Sequence, residues 1–197
     1  MTRVEEALRR IVADLERTSQ AYALVGGFAV SARTEPRFTR DIDLIVDVPD
    51  DAAAESLLRD LGGRGYGLVA AVEQQATGRL ATARLASPAA PGAELIVDLL
   101  FASSGVEHEI AARSEALELL DELVVPVART GDLVALKLLS RDDVARPQDA
   151  ADLRALLSVA TAADLATARE TVALIVERGY ARGRDLLASL DRLADDD

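Results

Sequence analysis

Two aspartates separated by one apolar residue, Asp41 and Asp43, are the first residues whose spacing indicates chemistry. They open residues 41–46, DIDLIV, whose aliphatic character predicts a strand. Because side chains alternate across a strand, both carboxylates point to one face, about 7 Å apart. Carboxylates so arranged repel each other unless a divalent cation lies between them. We therefore interpret the pair as a metal site, and ordinary solvated surface aspartates are the alternative.

Two glycines, Gly26 and Gly27, directly follow the predicted strand 22–25. A backbone without Cβ atoms can turn sharply and bring its N–H groups against a phosphate. A simple tight turn is the alternative for the glycines alone. Together with the aspartates, they favour a site that holds a nucleoside triphosphate and its metal.

Asp98 interrupts the apolar segment 94–100, ELIVDLL, which predicts a buried central strand. An unpaired ionised carboxylate there would cost several kcal/mol, so Asp98 needs a partner. One partner is a second metal ion, with Asp98 as the third carboxylate beside Asp41 and Asp43. An arginine or a backbone donor is the other possibility.

The residue types that are scarce or missing narrow the choice of metal. Cysteine is absent and His108 is the single histidine, which excludes thiolate zinc sites, His-rich sites and a cysteine nucleophile. A metal must then be bound by carboxylates and be a hard ion such as Mg²⁺.

The net charge of -12 argues against coating nucleic acid by bulk electrostatics. With no signal-peptide core and no apolar run of about 20 residues, we expect a cytoplasmic protein without membrane contact.

Lys137 is the one lysine of the sequence and lies in the predicted apolar helix 131–141. Near a triphosphate, its ammonium would neutralise charge that builds on the leaving pyrophosphate. Arg141 follows four residues later on the same face and could bind phosphate or pair with an aspartate. A surface lysine with a packed aliphatic stem is the alternative reading of Lys137.

Asp149 and Asp152 share one face of the next predicted helix, 147–157. The helix dipole is a sufficient reason for an acid at Asp149, in the first turn. It explains Asp152 less well, because Asp152 lies beyond that turn. We therefore assign Asp152 to the site, where it would orient Lys137 or an arginine.

The elements that must hold these residues change in character near residue 130. Strands are predicted at 22–25, 41–48, 68–72, 80–86 and 94–100, with a further β-type pair at 124–125. Helices are predicted at 3–18, 28–32, 131–141, 147–157, 162–178 and 183–193, with an Ala-rich helix after residue 50. The expected fold class is α/β (α+β), with a mixed central sheet in a catalytic lobe, 1–129, and a C-terminal helical lobe, 130–197, that completes the site.

Residues 25–30, VGGFAV, and 37–44, RFTRDIDL, resemble the first motif of the AbiEii-type nucleotidyltransferases of the DNA polymerase β superfamily, which include the MenT-type toxins. Lys137 with Arg141 resembles the basic helix of that family. Residues 147–153, PQDAADL, resemble its closing Asp-x-x-Asp-Leu motif, with Gln148 where a lysine or arginine is common. The resemblance implies the nucleotidyltransferase fold, with Mg²⁺ as cofactor and a nucleoside triphosphate as substrate.

In the MenT-type branch, the resemblance further implies a toxin that transfers a nucleotide, a pyrimidine, to the 3′ end of tRNA and blocks translation. A cognate antitoxin would restrain it. Transfer to a small molecule such as an aminoglycoside, or to a protein, is a second reading. A catalytically silent binding module is a third, against which the intact Asp-x-Asp weighs.

Thr39 lies immediately before the candidate metal ligands and could be a regulatory site. As a hypothesis, its phosphorylation would place negative charge against the triphosphate and switch the enzyme off.

Two arginine clusters, 33/37/40 and 178/182/184, could contact RNA phosphates, and solvated helix ends are the alternative for the second cluster. His108 is expected at the surface.

Overall fold

A computed structural model of the chain describes residues 2–37, 39–74, 77–89, 95–141 and 147–195. Its strands are β1 (Tyr22–Val25), β2 (Ile42–Val46), β3 (Gly67–Glu73), β4 (Leu80–Ala86), β5 (Ile96–Leu100), β6 (Glu115–Leu120) and β7 (Leu123–Val127). Its helices are α1 (Arg3–Leu15), α2 (Gly26–Arg33), α3 (Asp51–Gly63), α4 (Glu107–Arg113), α5 (Thr130–Ser140), α6 (Pro147–Val159), α7 (Ala162–Glu177) and α8 (Leu186–Asp195).

The strands form one mixed sheet in the order β3-β4-β5-β2-β1-β7-β6. The central strand β2 pairs antiparallel with β1 and parallel with β5, while β1 pairs parallel with β7. The apolar residues of these strands, such as Leu44, Ile45 and Leu99, are completely buried. The strands β2 and β5, which carry Asp43 and Asp98, thus each pair with a neighbouring strand on both sides.

Helix termini are fixed by short-range side-chain bonds that the sequence specifies. Thr2 and Glu5 form a capping box at the start of α1, and Thr161 and Asp164 form another at the start of α7. Asp50 caps α3 by accepting from the backbone N–H of Ala53 at 2.8 Å.

In the described residues, no helix combines the length and the apolar character that crossing a membrane requires.

Helix α5 packs against α6 and α7, and most of its residues are buried. Asp132 in its first turn is completely buried. Its carboxylate accepts from Arg113 Nε of α4 at 3.0 Å and from Thr171 Oγ1 of α7 at 2.8 Å. A buried ion pair therefore ties the helical half of the chain to the sheet half.

The expected fold class is confirmed, and most elements lie within a few residues of their predicted positions. Strands at 22–25 and 80–86 have the predicted bounds. The hairpin of β6 and β7 was largely missed, because β6 carries two glutamates, Glu115 and Glu118, that do not indicate a buried strand. The last strand ends at Val127 and α5 begins at Thr130. The division into lobes 1–129 and 130–197 stays a prediction.

Candidate active site

The Gly-Gly pair forms the first turn of α2, directly after β1, rather than a loop before the helix. Gly26 has φ +64°, a left-handed conformation that residues with a Cβ rarely adopt. A Cβ on Gly26 would lie 1.9 Å from Asp43 Oδ2, and one on Gly27 would lie 2.7 Å from Thr39 Oγ1. Both glycines are thus required for the close approach of the β2 carboxylate and the preceding loop to α2.

A row of functional side chains crosses three neighbouring strands. Asp43 of β2 is in register with Asp98 of β5, which is in register with Arg84 of β4. Register partners on neighbouring strands share one face of the sheet. Arg84 donates from Nε to Asp98 Oδ1 at 2.9 Å and from Nη2 to Asp98 Oδ2 at 2.7 Å. The arginine that was one of the partners expected for Asp98 is therefore Arg84, and the role of Asp98 as a metal ligand stays a prediction.

The surroundings of Asp43 disfavour the negative charge of its carboxylate. Burial raises the pKa of Asp43 to about 6, and the negative charges of Asp98 and Asp41 add to the effect. The positive charge of Lys137 and a hydrogen bond from the backbone N–H of Gly27 oppose it. A divalent cation beside Asp43 would relieve this repulsion.

Lys137 reaches the same region from α5, and two carboxylates of α6 hold its ammonium. Its Nζ lies 2.7 Å from Asp149 Oδ1 and 2.8 Å from Asp152 Oδ2. The Lys137 side chain is 13% exposed, so it is not a solvated surface lysine. Asp149 also accepts from Ser140 Oγ at 3.0 Å. The direction of the lysine is therefore fixed from two sides.

Asp152 joins Lys137 to the loop that precedes β2. Arg37 donates to both of its oxygens at 2.7 Å, and Gln148 Nε2 donates at 3.1 Å. Burial acts to raise the pKa of Asp152, but the bonds from Arg37, Lys137 and Gln148 outweigh burial and hold it below its usual value. The carboxylate is therefore ionised and orients both an arginine and Lys137, as its position in the sequence suggested.

A cavity of about 550 Å³ lies between this face of the sheet and α5. Its polar side chains are those of Asp43, Thr82, Arg84, Asp98, Ser103, Ser104, Lys137, Ser140, Asp149 and Arg182, and the rest of its lining includes Gly26, Val72, Leu100 and Leu136. A cavity lined by the carboxylates of Asp43 and Asp98 and by the ammonium of Lys137 suits a metal-bound polyphosphate.

One wall of the cavity is a loop pinned by a buried glutamate. Glu107 Oε1 accepts from the backbone N–H groups of Ser103 and Ser104, both at 2.7 Å, and from their hydroxyls at 3.0 and 2.8 Å. Glu107 is 5% exposed. The loop after β5 is thereby held as a rigid, hydroxyl-bearing surface beside Asp98.

Other predicted residues lie at the edge of the cavity or away from it. Thr39 lies beside Gly27, close to the Arg37 guanidinium. Arg141 follows the end of α5 instead of continuing its face, and it does not line the cavity. Its predicted role in nucleotide binding stays a prediction. His108 is at the surface as expected, 2.7 Å from Asp47 Oδ2, a bond that raises the pKa of His108.

The two arginine clusters are mostly committed to structural contacts. Arg33 donates to the Ala128 carbonyl and pairs with Glu115. Arg178 pairs with Glu109, and Arg184 donates to the carbonyl oxygens of Leu139 and Arg141. From the second cluster, Arg182 lines the cavity.

Arg84 and Asp149 were not predicted as site residues, and Arg37 was predicted only as a possible contact for RNA phosphates. Arg84 had a recognisable signal, since an arginine in the middle of the apolar segment 80–86 needs a carboxylate partner. Arg37 had no such signal, because its bond to Asp152 joins positions 115 residues apart.

The donors suit a hard cation, although they do not form a complete cage. Asp41 and Asp43 lie two residues apart and would offer carboxylate oxygens to such an ion, and the charge of Asp41 adds to burial and to Asp98 in raising the pKa of Asp43. Within the described ranges, no group of three or more His, Cys, Asp or Glu side chains converges as a metal site. Substrate phosphates and water commonly complete the coordination of Mg²⁺.

Comparisons with known proteins agree with the observed fold. A nucleotidyltransferase-like protein of Paracoccidioides brasiliensis is similar in fold, with a TM-score of 0.56, 17% identity, and 96% of this chain and 92% of that chain covered. ANT(2″)-Ia, solved with adenylyl-2″-tobramycin, is similar with a TM-score of 0.55, 15% identity, and 90% and 99% covered. No curated protein matches the chain. Residues 6–197 match the family described as nucleotidyl transferase AbiEii toxin, type IV toxin-antitoxin system, and the chain therefore belongs to that family.

Proposed function

We propose that this chain is a Mg²⁺-dependent nucleotidyltransferase toxin that transfers a nucleoside monophosphate, from a pyrimidine triphosphate, to the 3′ end of tRNA and so blocks translation. The observation that carries the transfer chemistry is that Asp43 of β2 and Lys137 of α5 line one cavity together with Gly26, the first residue of α2. The triphosphate and tRNA are cytoplasmic substrates, so the proposed activity belongs to the cytoplasm.

Asp41 and Asp43 are the residues that would hold Mg²⁺, with Asp98 as a further candidate ligand. When bound, the ion would polarise the phosphates and stabilise the charge that develops during transfer. Gly26 and Gly27 would bind phosphate oxygens at the start of α2, where backbone N–H groups and the helix dipole favour an anion.

Lys137 is proposed to stabilise the leaving pyrophosphate. Its ammonium is held by Asp149 and Asp152, so the charge is already in place before substrate binds. Asp152 would act as a positioning residue, since it fixes Lys137 on one side and Arg37 on the other. Arg141 is proposed to add a second cation for the nucleotide.

The tRNA acceptor rests on the AbiEii resemblance and on local positive charge near the site. Arg182 lines the cavity and Arg40 is exposed beside Asp41. Both lie where a phosphate of an RNA end could reach them. The net charge of -12 makes this a local contact with an RNA end rather than extended coating of a duplex.

The test is a labelling experiment with a charge-matched control. The purified chain is incubated with each labelled nucleoside triphosphate, Mg²⁺ and total RNA, in parallel with Asp41→Ala and Asp47→Ala. Asp47 pairs with the exposed His108, so Asp47→Ala removes a carboxylate from the same segment without touching the candidate site. We expect label on tRNA with the wild type and with Asp47→Ala, and a loss of about 100-fold or more with Asp41→Ala. Label on protein, or no label in any RNA, would contradict the tRNA proposal.

A small cationic acceptor is the second candidate, favoured by the acidity of the chain. The structurally similar ANT(2″)-Ia was solved with adenylyl-2″-tobramycin. A protein with net charge -12 attracts polycations such as aminoglycosides. Adding tobramycin to the same assay decides between the two, because label would then appear in a low-molecular-weight product instead of in tRNA.

A cognate antitoxin would regulate the activity of this chain. The family description places the chain in a type IV toxin-antitoxin system. Thr39 is proposed as a phosphorylation site, since its hydroxyl lies beside Gly27 at the start of α2, where a phosphoryl group would compete with the substrate phosphate. Mass spectrometry of the toxin co-expressed with its antitoxin tests this. Suppressed activity with unmodified Thr39 would count against it.

A further inference from the structure

Asp98 is fully engaged by Arg84, and this pair determines what the carboxylate can bind. Both Asp98 oxygens accept from the Arg84 guanidinium, at 2.9 and 2.7 Å, in the bidentate geometry that arginine and carboxylate groups favour. The Asp98 side chain is 10% exposed, whereas that of Arg84 is 48% exposed and lines the cavity. The carboxylate therefore lies within the sheet, whereas its partner lies at the surface of the cavity.

Arg84 also compensates the charge of the neighbouring carboxylates. Asp98 is in register with Asp43, so without a counter-ion two negative charges would lie side by side on adjacent strands. The charges of Asp41 and Asp43 act on the Arg84 guanidinium as well as that of Asp98. The positive charge of Arg84 thus offsets the negative charge of these carboxylates, as a second divalent ion would.

We infer that Arg84 is a positioning residue that withholds Asp98 from metal coordination. The free protein then binds one divalent ion tightly, at Asp41 and Asp43, and the second ion position opens only when Arg84 leaves Asp98. The inference rests on the proposed metal-dependent function and adds to it a control of metal stoichiometry by the chain itself.

Binding of Mn²⁺, followed by the electron paramagnetic resonance of the free ion, tests the inference without nucleotide or RNA. We expect one tight Mn²⁺ per wild-type chain. In Arg84→Gln, Asp98 is released and a second Mn²⁺ should bind, at least about tenfold more tightly than any second ion of the wild type. In the double variant Arg84→Gln/Asp98→Asn, the stoichiometry should return to one.

Arg79→Gln is the matched control, because it removes the same charge immediately before the strand that carries Arg84. Arg79 pairs with Asp51 and is not among the cavity walls. Its Mn²⁺ binding should equal that of the wild type, which separates a local effect of Arg84 from a general increase in negative charge. Circular dichroism verifies that each variant is folded.

Asp98→Asn alone keeps the test valid if Arg84→Gln does not fold. The inference predicts that this variant still binds one Mn²⁺, because Asp98 is not a ligand while Arg84 is present. Two comparable Mn²⁺ sites in the wild type, no second ion in folded Arg84→Gln, or a second ion that persists in the double variant would each overturn the inference. Loss of all Mn²⁺ binding in the wild type would overturn the proposed metal-dependent function as well.

Discussion

Lys137 gives this protein an unusual single-residue probe, because the chain contains no other lysine. Reductive methylation with ¹³C-formaldehyde should therefore label one side chain besides the N-terminal amine. Its ammonium contacts Asp149 and Asp152 at 2.7 and 2.8 Å. If Lys137 binds the triphosphate, its methyl resonance should shift when a nucleoside triphosphate and Mg²⁺ are added. An unchanged resonance at saturating nucleotide would remove Lys137 from the proposed site.

Asp152 and Asp149 both contact Lys137, but their replacement should have different consequences. Asp152 is 1% exposed and also holds Arg37, so Asp152→Asn leaves two cations without a full counter-charge. Asp149→Asn removes one of two carboxylates from Lys137 and leaves Asp152 in place. We expect kcat to fall about 100-fold or more for Asp152→Asn and about tenfold or less for Asp149→Asn. Steady-state kinetics with separate KM values for nucleotide and acceptor verifies this, and equal losses would contradict the ranking.

At the scale of elements, the turn from β1 into α2 depends on the backbone of Gly26. With φ +64° and a built Cβ only 1.9 Å from Asp43 Oδ2, Gly26→Ala must both strain the turn and displace the carboxylate. We expect a loss of about 1–3 kcal/mol in the free energy of unfolding and a loss of Mn²⁺ binding. Urea denaturation and a Mn²⁺ titration measure the two effects.

The matched change is Gly62→Ala in α3, where an added Cβ meets no atom within 4 Å. Alanine is a better helix former than glycine by up to about 1 kcal/mol, so this variant should be as stable as the wild type or more stable. Mn²⁺ binding retained by both glycine variants would show that Gly26 is only a turn residue.

The sequence predicts strands where the residues are mostly apolar, whether buried as in β1 or exposed as in β3, and it fails where charged residues interrupt the apolar run. Residues 22–25 predict β1 correctly because all four are buried. Strand β6, by contrast, lies at the sheet edge and keeps Glu115 and Glu118 exposed, so its composition does not indicate a strand. Contacts such as that of Arg37 with Asp152 join distant elements, and no local pattern specifies them.

At the scale of the whole molecule, buried charges connect the sheet to the C-terminal helices. Arg37 joins the loop before β2 to α6, and Arg113 joins α4 to α5 and α7 through Asp132 and Thr171. The candidate site needs both halves, since Asp43 and Lys137 come from opposite sides of this connection. Cooperative folding of the two halves is therefore a condition for assembling the site.

Asp132→Ala should break this connection and destabilise the entire chain. Asp132 is completely buried, so its loss leaves Arg113, a 21% exposed side chain, without its main counter-ion. Breaking a buried pair costs about 3–5 kcal/mol. Urea denaturation should show a single transition at lower urea concentration, with activity per folded molecule retained because Asp132 does not line the cavity.

Asp191→Ala is the matched control, because Asp191 pairs with Arg169 in the same helical half but at 47% exposure. An exposed pair contributes about 0–1 kcal/mol, so this variant should unfold nearly as the wild type does. Separate transitions for the two halves in the wild type would contradict cooperative folding. An Asp132→Ala midpoint equal to that of Asp191→Ala would show instead that helix packing alone, without the ion pair, holds the halves together.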